Sequence, residues 1–258
     1  MKHLTFPTFS LAGRTALVTG ASRGIGRALA VGLAHAGADL WLAARSAGDL
    51  AETAAAVEAQ GRSARTLALD VTDLAAIEAA FAEIRARDGG LDILVNNAGV
   101  EQVSPSVDVD EALWDRILDT NLKGAFFCAR AAHPLMVARD GGAVINLGSL
   151  TSGAGVPTAV PYGSSKTGIV GMTRALAAEW AGDGIRVNAL GPGYFRTALT
   201  ETFYRDEAWQ TTMLAKIPQR RFGRLDDLIG ATVFLASDAS AYVTGQILYI
   251  DGGTMAAL

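Results

Sequence analysis

Tyr162, Lys166 and Ser149 are the side chains whose types and spacing best suggest chemistry. Tyr162 and Lys166 stand four residues apart in a stretch with helical periodicity, so both project from one face. A free tyrosine titrates near pH ~10, and a neighbouring ammonium favours its phenolate, which would make Tyr162 a general acid and base. Ser149 follows a strand-like run, where its hydroxyl is placed to hold a substrate oxygen. Taken alone, a tyrosine and a lysine at this spacing occur by chance in many helices.

A glycine-rich stretch near the start of the chain has the composition of a phosphate-binding loop. Residues 19–26 read Thr-Gly-Ala-Ser-Arg-Gly-Ile-Gly and lie between a strand-like run and a helix-like run. Gly20 allows a tight turn, Gly24 lets main-chain N–H groups approach a pyrophosphate, and Gly26 permits close packing of helix on strand. The spacing is G-x3-G-x-G rather than G-x-G-x-x-G. The interpretation as a dinucleotide site therefore depends on where the loop lies, directly before the first helix-like stretch.

The residues at the end of the second strand-like run indicate which dinucleotide is bound. Enzymes that use NAD usually place Asp or Glu there for the ribose 2′-hydroxyl, whereas this chain has Ala44 and Arg45. Arg45, together with Arg23 of the glycine loop, can form charge-assisted hydrogen bonds with a 2′-phosphate. We therefore expect NADP(H) as the preferred cofactor and NAD(H) as the alternative, since both arginines could instead be solvated surface charges.

Strand-length apolar runs alternate with longer helical stretches through nearly the whole chain. The strand-like runs are Thr15–Val18, Leu40–Ala43, Thr66–Leu69, Ile93–Val95, Val144–Leu147, Arg186–Leu190 and Ile247–Ile250. The helix-like stretches are Ile25–Ala36, Asp49–Gln60, Asp73–Arg87, Glu111–Val137, Tyr162–Trp180 and Leu225–Leu235. This alternation predicts an α/β fold, a Rossmann-like doubly wound parallel sheet of about seven strands with helices on both faces, as one domain over residues 1–258. The segment at about 194–224 interrupts the rhythm and is a candidate substrate lid.

Composition argues against several other classes of protein. The chain has 258 residues, half of them hydrophobic, and a net charge of −4 with scattered basic residues, so no nucleic-acid partner is expected. One cysteine, Cys128, rules out an intrachain disulfide and fits a reducing compartment. The sequence shows neither a secretory signal nor an uninterrupted apolar span, which predicts a cytoplasmic protein without a membrane segment. The three histidines lie apart from one another without neighbouring ligands, so no metal site is expected.

Considered jointly, these motifs make the chain similar from end to end to short-chain dehydrogenases/reductases. The residues that carry the resemblance are Thr19–Gly26, Asp70, Val71, Asn96–Gly99, Asn121, Ser149, Tyr162, Lys166 and Pro192–Thr197. The resemblance implies that the catalytic residues are Asn121, Ser149, Tyr162 and Lys166. It implies, with the arginine argument, a cofactor site made of Gly20, Ser22, Arg23, Gly24, Ile25, Gly26, Arg45, Asp70, Val71, Asn97, Ala98, Gly99, Tyr162, Lys166, Pro192, Gly193, Phe195 and Thr197.

The resemblance also implies individual roles. Asp70 and Val71 would flank the adenine, Asn97–Gly99 would pass the ribose, and Pro192–Thr197 would hold the nicotinamide carboxamide. Asn121 would anchor a water in a proton relay through Lys166 and the ribose to Tyr162. Members of the family usually form dimers or tetramers through the helices that here span 111–137 and 162–180. For two of these residues a purely structural role is the alternative. Asp70 could cap the helix that begins near residue 73, and Asn121 could satisfy a break in a helix.

The expected function is an NADP(H)-dependent oxidoreductase that interconverts a small carbonyl compound, such as a ketone, with a secondary alcohol. Phe9–Gly13, Pro192–Thr197 and the tail Asp251–Gly253 resemble gluconate 5-dehydrogenases, which makes a sugar-acid or polyol dehydrogenase an alternative; 3-oxoacyl-ACP reductases are also similar. Val100–Val103 stands where the gluconate subgroup tends to carry a Gln-Arg-Arg run, and this absence argues against an anionic sugar acid. A catalytically silent dinucleotide-binding regulator is a third hypothesis, although such a protein would be expected to lack Tyr162, Lys166 or Ser149.

Overall fold

The computed structural model describes residues 6–197, 201 and 203–257 and is built around a seven-stranded parallel sheet. The strands are β1 (Thr15–Thr19), β2 (Asp39–Ala44), β3 (Ala64–Ala68), β4 (Ile93–Asn96), β5 (Gly142–Leu147), β6 (Ile185–Pro192) and β7 (Ile247–Ile250). The α-helices are α1 (Gly24–His35), α2 (Ala51–Glu58), α3 (Leu74–Asp88), α4 (Glu111–Leu118), α5 (Gly124–Val137), α6 (Val160–Trp180), α7 (Glu207–Lys216) and α8 (Ile229–Ala236). The order β3-β2-β1-β4-β5-β6-β7 confirms the predicted doubly wound, Rossmann-like sheet.

Both faces of the sheet are buried, which explains why the strands are almost continuously apolar. Successive side chains in a strand point to opposite faces. Leu17 of β1 therefore joins the hydrophobic cluster that contains side chains of α3, α5 and α6, whereas Ala16 and Val18 join the cluster that contains side chains of α1 and α8. The helices thus cover the sheet on two sides, as the alternation of strands and helices predicts.

The sheet reverses its strand order between β1 and β4, which pair in parallel with Val18 opposite Val95. The chain winds outward from β1 to β3 and then crosses back to β4 on the other side of β1. In open α/β sheets, ligands bind outside the carboxyl ends of the strands at such a reversal. The glycine loop follows β1, residues 97–104 follow β4, and Ser149 lies just after β5, so these three segments meet at one edge.

Three stretches predicted as single helices are divided. Residues 111–137 form α4, a π-helical turn at Asp119–Lys123 and then α5, rather than one helix. The wider turn contains the buried Asn121, whose amide bonds to groups outside the helix, so the predicted helical stretch carries a π-helical turn rather than being α-helical throughout. The other two begin with a 3-10 turn, at Ala47–Leu50 before α2 and at Leu225–Leu228 before α8.

The segment at about 194–224 contains α7, which Asp206 caps by accepting a hydrogen bond from the Trp209 N–H. Four aromatic side chains hold this segment together, with ring centroids 4.8 to 6.1 Å apart: Tyr194, Tyr204, Trp209 and Phe222. A cleft of about 370 Å³ lies between the segment and the turn after β7. Residues 198–200 and 202, which also belong to the predicted lid, fall outside the described residues.

Candidate active site

Helix α6 presents Tyr162 and Lys166 one turn apart, as the four-residue spacing predicts. The Lys166 ammonium lies 5.6 Å from the centroid of the Tyr162 ring. Lys166 is 5% exposed, and its Nζ donates a 2.7 Å hydrogen bond to the carbonyl oxygen of Leu147 at the end of β5. The sheet edge therefore fixes the ammonium before any ligand binds.

Ser149 is brought to the same place by the end of β5. It is the N-cap of a short 3-10 turn, Leu150–Ser152, and its Oγ accepts a 3.2 Å hydrogen bond from the Thr151 N–H. The Ser149 side chain also lies close enough to the hydroxyl of Tyr162 to lower the pKa of that group through hydrogen bonding. Ser152 ties the turn to α6, since its Oγ donates to the Lys166 carbonyl oxygen at 2.8 Å. Two hydroxyl groups thus converge on one position beside a buried ammonium.

The titration of this group differs from the expectation. Burial raises the pKa of Tyr162, the nearby Glu101 carboxylate raises it further, and only the hydrogen bond with Ser149 lowers it. Burial lowers the pKa of Lys166 to about 8, with Glu101 opposing that shift. Lys166 is not among the groups that lower the pKa of Tyr162, so the expected shift of Tyr162 toward neutral pH is not seen in the protein alone, and the ammonium donates to the Leu147 carbonyl instead. Tyr162 keeps its proton at neutral pH, which is the form a general acid needs.

The lowered pKa of Lys166 makes stability depend on pH in a defined direction. Between pH 8 and its ordinary value of 10.5, the unfolded chain binds more protons at this lysine than the folded chain does. The free energy of unfolding should therefore rise with pH through this window. Urea unfolding at about pH 7.5 and about pH 9.5 should show wild type gaining stability relative to Lys166→Met.

The exposed Lys216→Met variant is the control, because it makes the same change of side chain at the surface of α7. Its stability should change with pH in parallel with that of wild type. Parallel profiles for Lys166→Met as well would show that Lys166 is not depressed in the folded protein.

Asn121 uses its whole side-chain amide within the protein. Its Oδ1 accepts from the Val100 N–H at 2.8 Å, and its Nδ2 donates to the Val100 carbonyl at 2.9 Å and to Ser165 Oγ at 3.2 Å. Ser165 stands beside Lys166 in α6, and its Oγ donates to the Tyr162 carbonyl oxygen at 2.7 Å. Asn121 therefore joins the segment after β4 to the helix that carries Tyr162.

The glycine loop has the shape that a pyrophosphate requires. Gly20 and Gly24 have φ values of +64° and +57°, in the left-handed region that favours glycine. A Cβ at Gly26 would lie 2.2 Å from the Gly20 carbonyl oxygen, so the loop and α1 touch through main-chain atoms. Helix α1 begins at Gly24 with neither a side-chain cap nor an acidic residue in its first turn. Its N-terminal amide groups thus suit an anion, and the residues present fit the dinucleotide that the sequence predicts.

The sequence names Thr19 and Asn97 as motif residues but does not reveal that they, together with Thr53, hold this loop. Thr19 Oγ1 accepts from the N–H groups of Asn97 and Ala98, both at 3.0 Å, and the Asn97 amide donates to the carbonyl oxygens of Thr19 and Gly20. Thr53 Oγ1 donates to the Ala21 carbonyl at 2.9 Å. The Asn97 side chain therefore supports the loop, which leaves the main chain of residues 97–99 to face a ligand. A threonine at the end of β1 and a threonine in α2 carry no sequence signal of this role.

The remaining predicted cofactor positions surround the same edge. A Cβ at Gly24 would lie 3.7 Å from the Cβ of Thr197, which brings the segment after β6 beside the glycine loop. Gly193 donates its N–H to Ile250, and Phe195 forms a bridge with Gly223. The positions not yet placed differ in exposure: Val71 and Pro192 are buried, Ser22, Ile25 and Asp70 are partly buried, and Arg23, Arg45 and Gly99 are exposed.

Asp70 does not cap the following helix. Its Oδ1 accepts hydrogen bonds from the N–H and the hydroxyl of Thr72, which closes a local turn. Asp73 is the residue that caps α3, accepting from the N–H groups of Ala75 and Ala76. The alternative interpretation of Asp70 as a helix cap is therefore wrong, and a neighbouring aspartate takes that role.

Neither a membrane helix nor a metal cluster is found in the part of the chain that the structure describes. None of its helices combines the length and the apolar character needed to cross a bilayer. No group of three or more His, Cys, Asp and Glu side chains there is arranged to hold a metal ion. Burial raises the pKa of the Cys128 thiol to about 12, so this cysteine behaves as a buried apolar residue.

The class of protein follows from three features that meet at one edge of the sheet: the reversal of strand order, the glycine loop before α1 and the Ser-Tyr-Lys group. Together they define a nicotinamide-dependent oxidoreductase. A family sequence model described as enoyl-(acyl carrier protein) reductase matches residues 20–255. The chain belongs to the short-chain dehydrogenase/reductase family, and the predicted resemblance is confirmed.

Several proteins with the same fold are similar in sequence to this chain. A provisionally named short-chain alcohol dehydrogenase from Sinorhizobium meliloti 1021 is 60% identical with a TM-score of 0.95, covering 98% of this chain and 100% of its own. A gluconate 5-dehydrogenase from Burkholderia cenocepacia J2315, solved with NADP and tartrate, is 40% identical with a TM-score of 0.94, covering 97% and 98%. A 3-oxoacyl-[acyl-carrier-protein] reductase from Staphylococcus aureus (strain Mu50 / ATCC 700699) is 39% identical over 243 residues, 93% of this chain and 97% of that protein.

Proposed function

We propose that this protein reduces a small ketone to a secondary alcohol with NADPH, and catalyses the reverse oxidation, through Ser149, Tyr162 and Lys166. The observation that carries the proposal is the convergence of the Ser149 and Tyr162 hydroxyl groups beside the buried ammonium of Lys166. Hydrogen bonds preorganised around a developing alkoxide stabilise the transition state.

Each residue of the group has a distinct task. When bound, the nicotinamide supplies or accepts the hydride. Tyr162 gives its hydroxyl proton to the substrate oxygen in reduction and takes it back in oxidation, while Ser149 donates a hydrogen bond that orients that oxygen. Lys166, held by the Leu147 carbonyl, places positive charge beside both. Asn121 keeps the segment after β4 against α6, next to the place where protons would be relayed to Tyr162.

NADP(H) is the cofactor we propose, bound by the residues around the glycine loop. No carboxylate stands at Ala44–Arg45 to repel a 2′-phosphate, and both Arg23 and Arg45 are exposed. Neither arginine forms a side-chain ion pair within the described residues, so both guanidinium groups are available. The Burkholderia cenocepacia relative, solved with NADP, supports the same choice.

Replacing Arg45 should therefore weaken one cofactor selectively. Arg45→Ala should raise the KM for NADPH by about 10- to 100-fold, because charge-assisted bonds to the 2′-phosphate are lost. The KM for NADH should stay within about twofold, since NADH has no such phosphate. Steady-state rates with both cofactors test this, with the exposed Arg85→Ala as a control of equal charge change. Equal effects on both cofactors would show that Arg45 does not contact the 2′-phosphate.

Three further features belong to the proposal. Residues 1–258 form one catalytic domain in which the segment at about 194–224 acts as a substrate lid over the cleft beside Tyr194.

The chain forms a homodimer or homotetramer through α4 to α6, where Leu118, Leu122, Phe126 and Met172 line an apolar groove. The protein acts in the cytoplasm, in keeping with its single, buried cysteine.

The reaction is tested by initial rates of NADPH oxidation against a panel of carbonyl compounds. The panel comprises 5-ketogluconate, neutral ketoses, simple ketones and a β-ketoacyl thioester, each also tried with NADH. Turnover of at least one ketone, faster with NADPH, is the expected result. Tight NADPH binding without turnover of any carbonyl compound would overturn the proposal and favour a catalytically silent dinucleotide-binding protein.

A sugar-acid dehydrogenase is the second candidate. It is favoured by the 40% identity over nearly the whole chain to the Burkholderia cenocepacia gluconate 5-dehydrogenase, which was solved with tartrate. The two candidates share the chemistry and differ in the charge of the substrate. Preferential turnover of 5-ketogluconate in the panel would establish this second candidate.

A further inference from the structure

Glu101 lies in a segment that the protein holds firmly on both sides. Before it, the N–H and the carbonyl of Val100 both bond to the side-chain amide of Asn121. After it, the side chain of Gln102 accepts a hydrogen bond from Arg116 of α4. The residue at position 101 therefore has a fixed place after β4, although its own side chain supplies none of these bonds.

The same segment lies against the loop that leads into α6. The Ser104 N–H donates a 2.8 Å hydrogen bond to the Thr158 carbonyl, shortly before Tyr162. Glu101 is partly buried there, and its negative charge raises the pKa of both Tyr162 and Lys166. Its own pKa is raised by burial and lowered by Lys166. Glu101 therefore lies in the segment that Asn121 and Ser104 connect to α6 and its preceding loop, and its charge acts on Tyr162 and Lys166.

The Glu101 carboxylate has no hydrogen-bond donor or ion-pair partner within 6–197, 201 and 203–257. The ammonium of Lys166 acts on it through space but donates to Leu147. The Glu101 oxygens are not among the buried side-chain atoms without a partner, so they can accept a hydrogen bond from a molecule that enters the site. An acceptor left open beside the reacting group is suited to a hydroxyl of the substrate.

We propose that Glu101 determines substrate specificity, accepting a hydrogen bond from a hydroxyl near the reacting carbon of a neutral polyhydroxy ketone or alcohol and repelling carboxylate-bearing substrates. This inference rests on the proposed ketone–alcohol reaction and names its substrate class. A carboxylate in the substrate would meet like charge in a partly desolvated site, where charges interact more strongly than in water. A hydroxyl at the same place would complete the acceptor capacity of Glu101.

The matched probes are gluconate and sorbitol, which differ only in a carboxylate or a neutral CH2OH group at one end. Their inhibition constants are measured with the full-length enzyme and NADPH, against the best carbonyl substrate of the panel. Wild type should bind sorbitol more tightly than gluconate. Glu101→Gln, which keeps an acceptor oxygen but removes the charge, should shift the ratio of the two constants at least about tenfold in favour of gluconate.

Asp108→Asn is the control, since Asp108 is an exposed carboxylate in the same connection between β4 and α4. It should leave the ratio of inhibition constants unchanged. A ratio in Glu101→Gln equal to that of wild type, or a wild type that prefers gluconate, would overturn the proposal, as would an active enzyme that neither compound inhibits. In each of these cases the carbonyl activity itself survives, whereas failure of the whole panel removes the proposed function instead.

Discussion

Tyr162→Phe should lower kcat by at least about 1000-fold while leaving the Kd for NADPH within about twofold. The substitution removes one oxygen and its proton from a side chain that otherwise keeps its place in α6. Without that proton, the developing alkoxide loses the acid that is placed to protonate it, whereas the glycine loop and the first turn of α1 are unchanged. Single-turnover rates and NADPH fluorescence titration measure the two quantities separately.

Tyr242→Phe provides the comparison, because Tyr242 is fully exposed and far along the chain from the site. It should retain wild-type kcat and wild-type NADPH affinity. Retention of more than about a tenth of wild-type turnover by Tyr162→Phe would mean that another group supplies the proton. In that case Tyr162 would have to be removed from the catalytic group.

Gly26→Ala should lower the free energy of unfolding by at least ~2 kcal/mol and weaken NADPH binding by about 100-fold or more. A Cβ at this position would lie 2.2 Å from the Gly20 carbonyl oxygen and 2.5 Å from Asn97 Nδ2. Neither neighbour can move without a cost in free energy, since one is a main-chain atom and the other is hydrogen-bonded to Thr19. The methyl group must therefore push α1 away from the loop that holds the pyrophosphate. Urea unfolding and NADPH titration measure the two effects.

Gly230→Ala is the matched control, a second helical glycine given the same methyl group. Nothing lies within 4 Å of a Cβ built at Gly230 in α8. Its free energy of unfolding should stay the same or rise by up to ~1 kcal/mol, because alanine favours helix more than glycine does. If both variants behaved alike, contact between α1 and the glycine loop would not be what Gly26 protects.

The sequence predicts the sheet well because its signals are local. Both faces of a parallel sheet are buried, so each strand is a short apolar run, and the seven predicted runs coincide with the seven strands to within a few residues. The chemical positions follow from the same rule, since ligands gather at the carboxyl ends of such strands. The four-residue spacing of Tyr162 and Lys166, about one helical turn, was enough to predict that the two side chains lie together.

What the sequence does not reveal depends on contacts between distant residues. The π-helical turn exists around Asn121, whose partners Val100 and Ser165 are 21 and 44 residues away. The raised pKa of Tyr162 depends on burial and on Glu101, whereas the sequence argument considered only the lysine four residues on. The sequence relates the Val100–Val103 run to the charge of the substrate through the resemblance alone, and it does not show that the charge of Glu101 acts on Tyr162 and Lys166.

The way the segment after β4 is held has an evolutionary consequence. Its bonds are made by the main chain of Val100, by Gln102 and by the main chain of Ser104, and the side chain at position 101 takes part in none of them. A lineage can therefore exchange residue 101 without rebuilding the loop or the Ser-Tyr-Lys group. Diversification of substrates within one scaffold then needs only single codon changes at an already rigid position, rather than new loops.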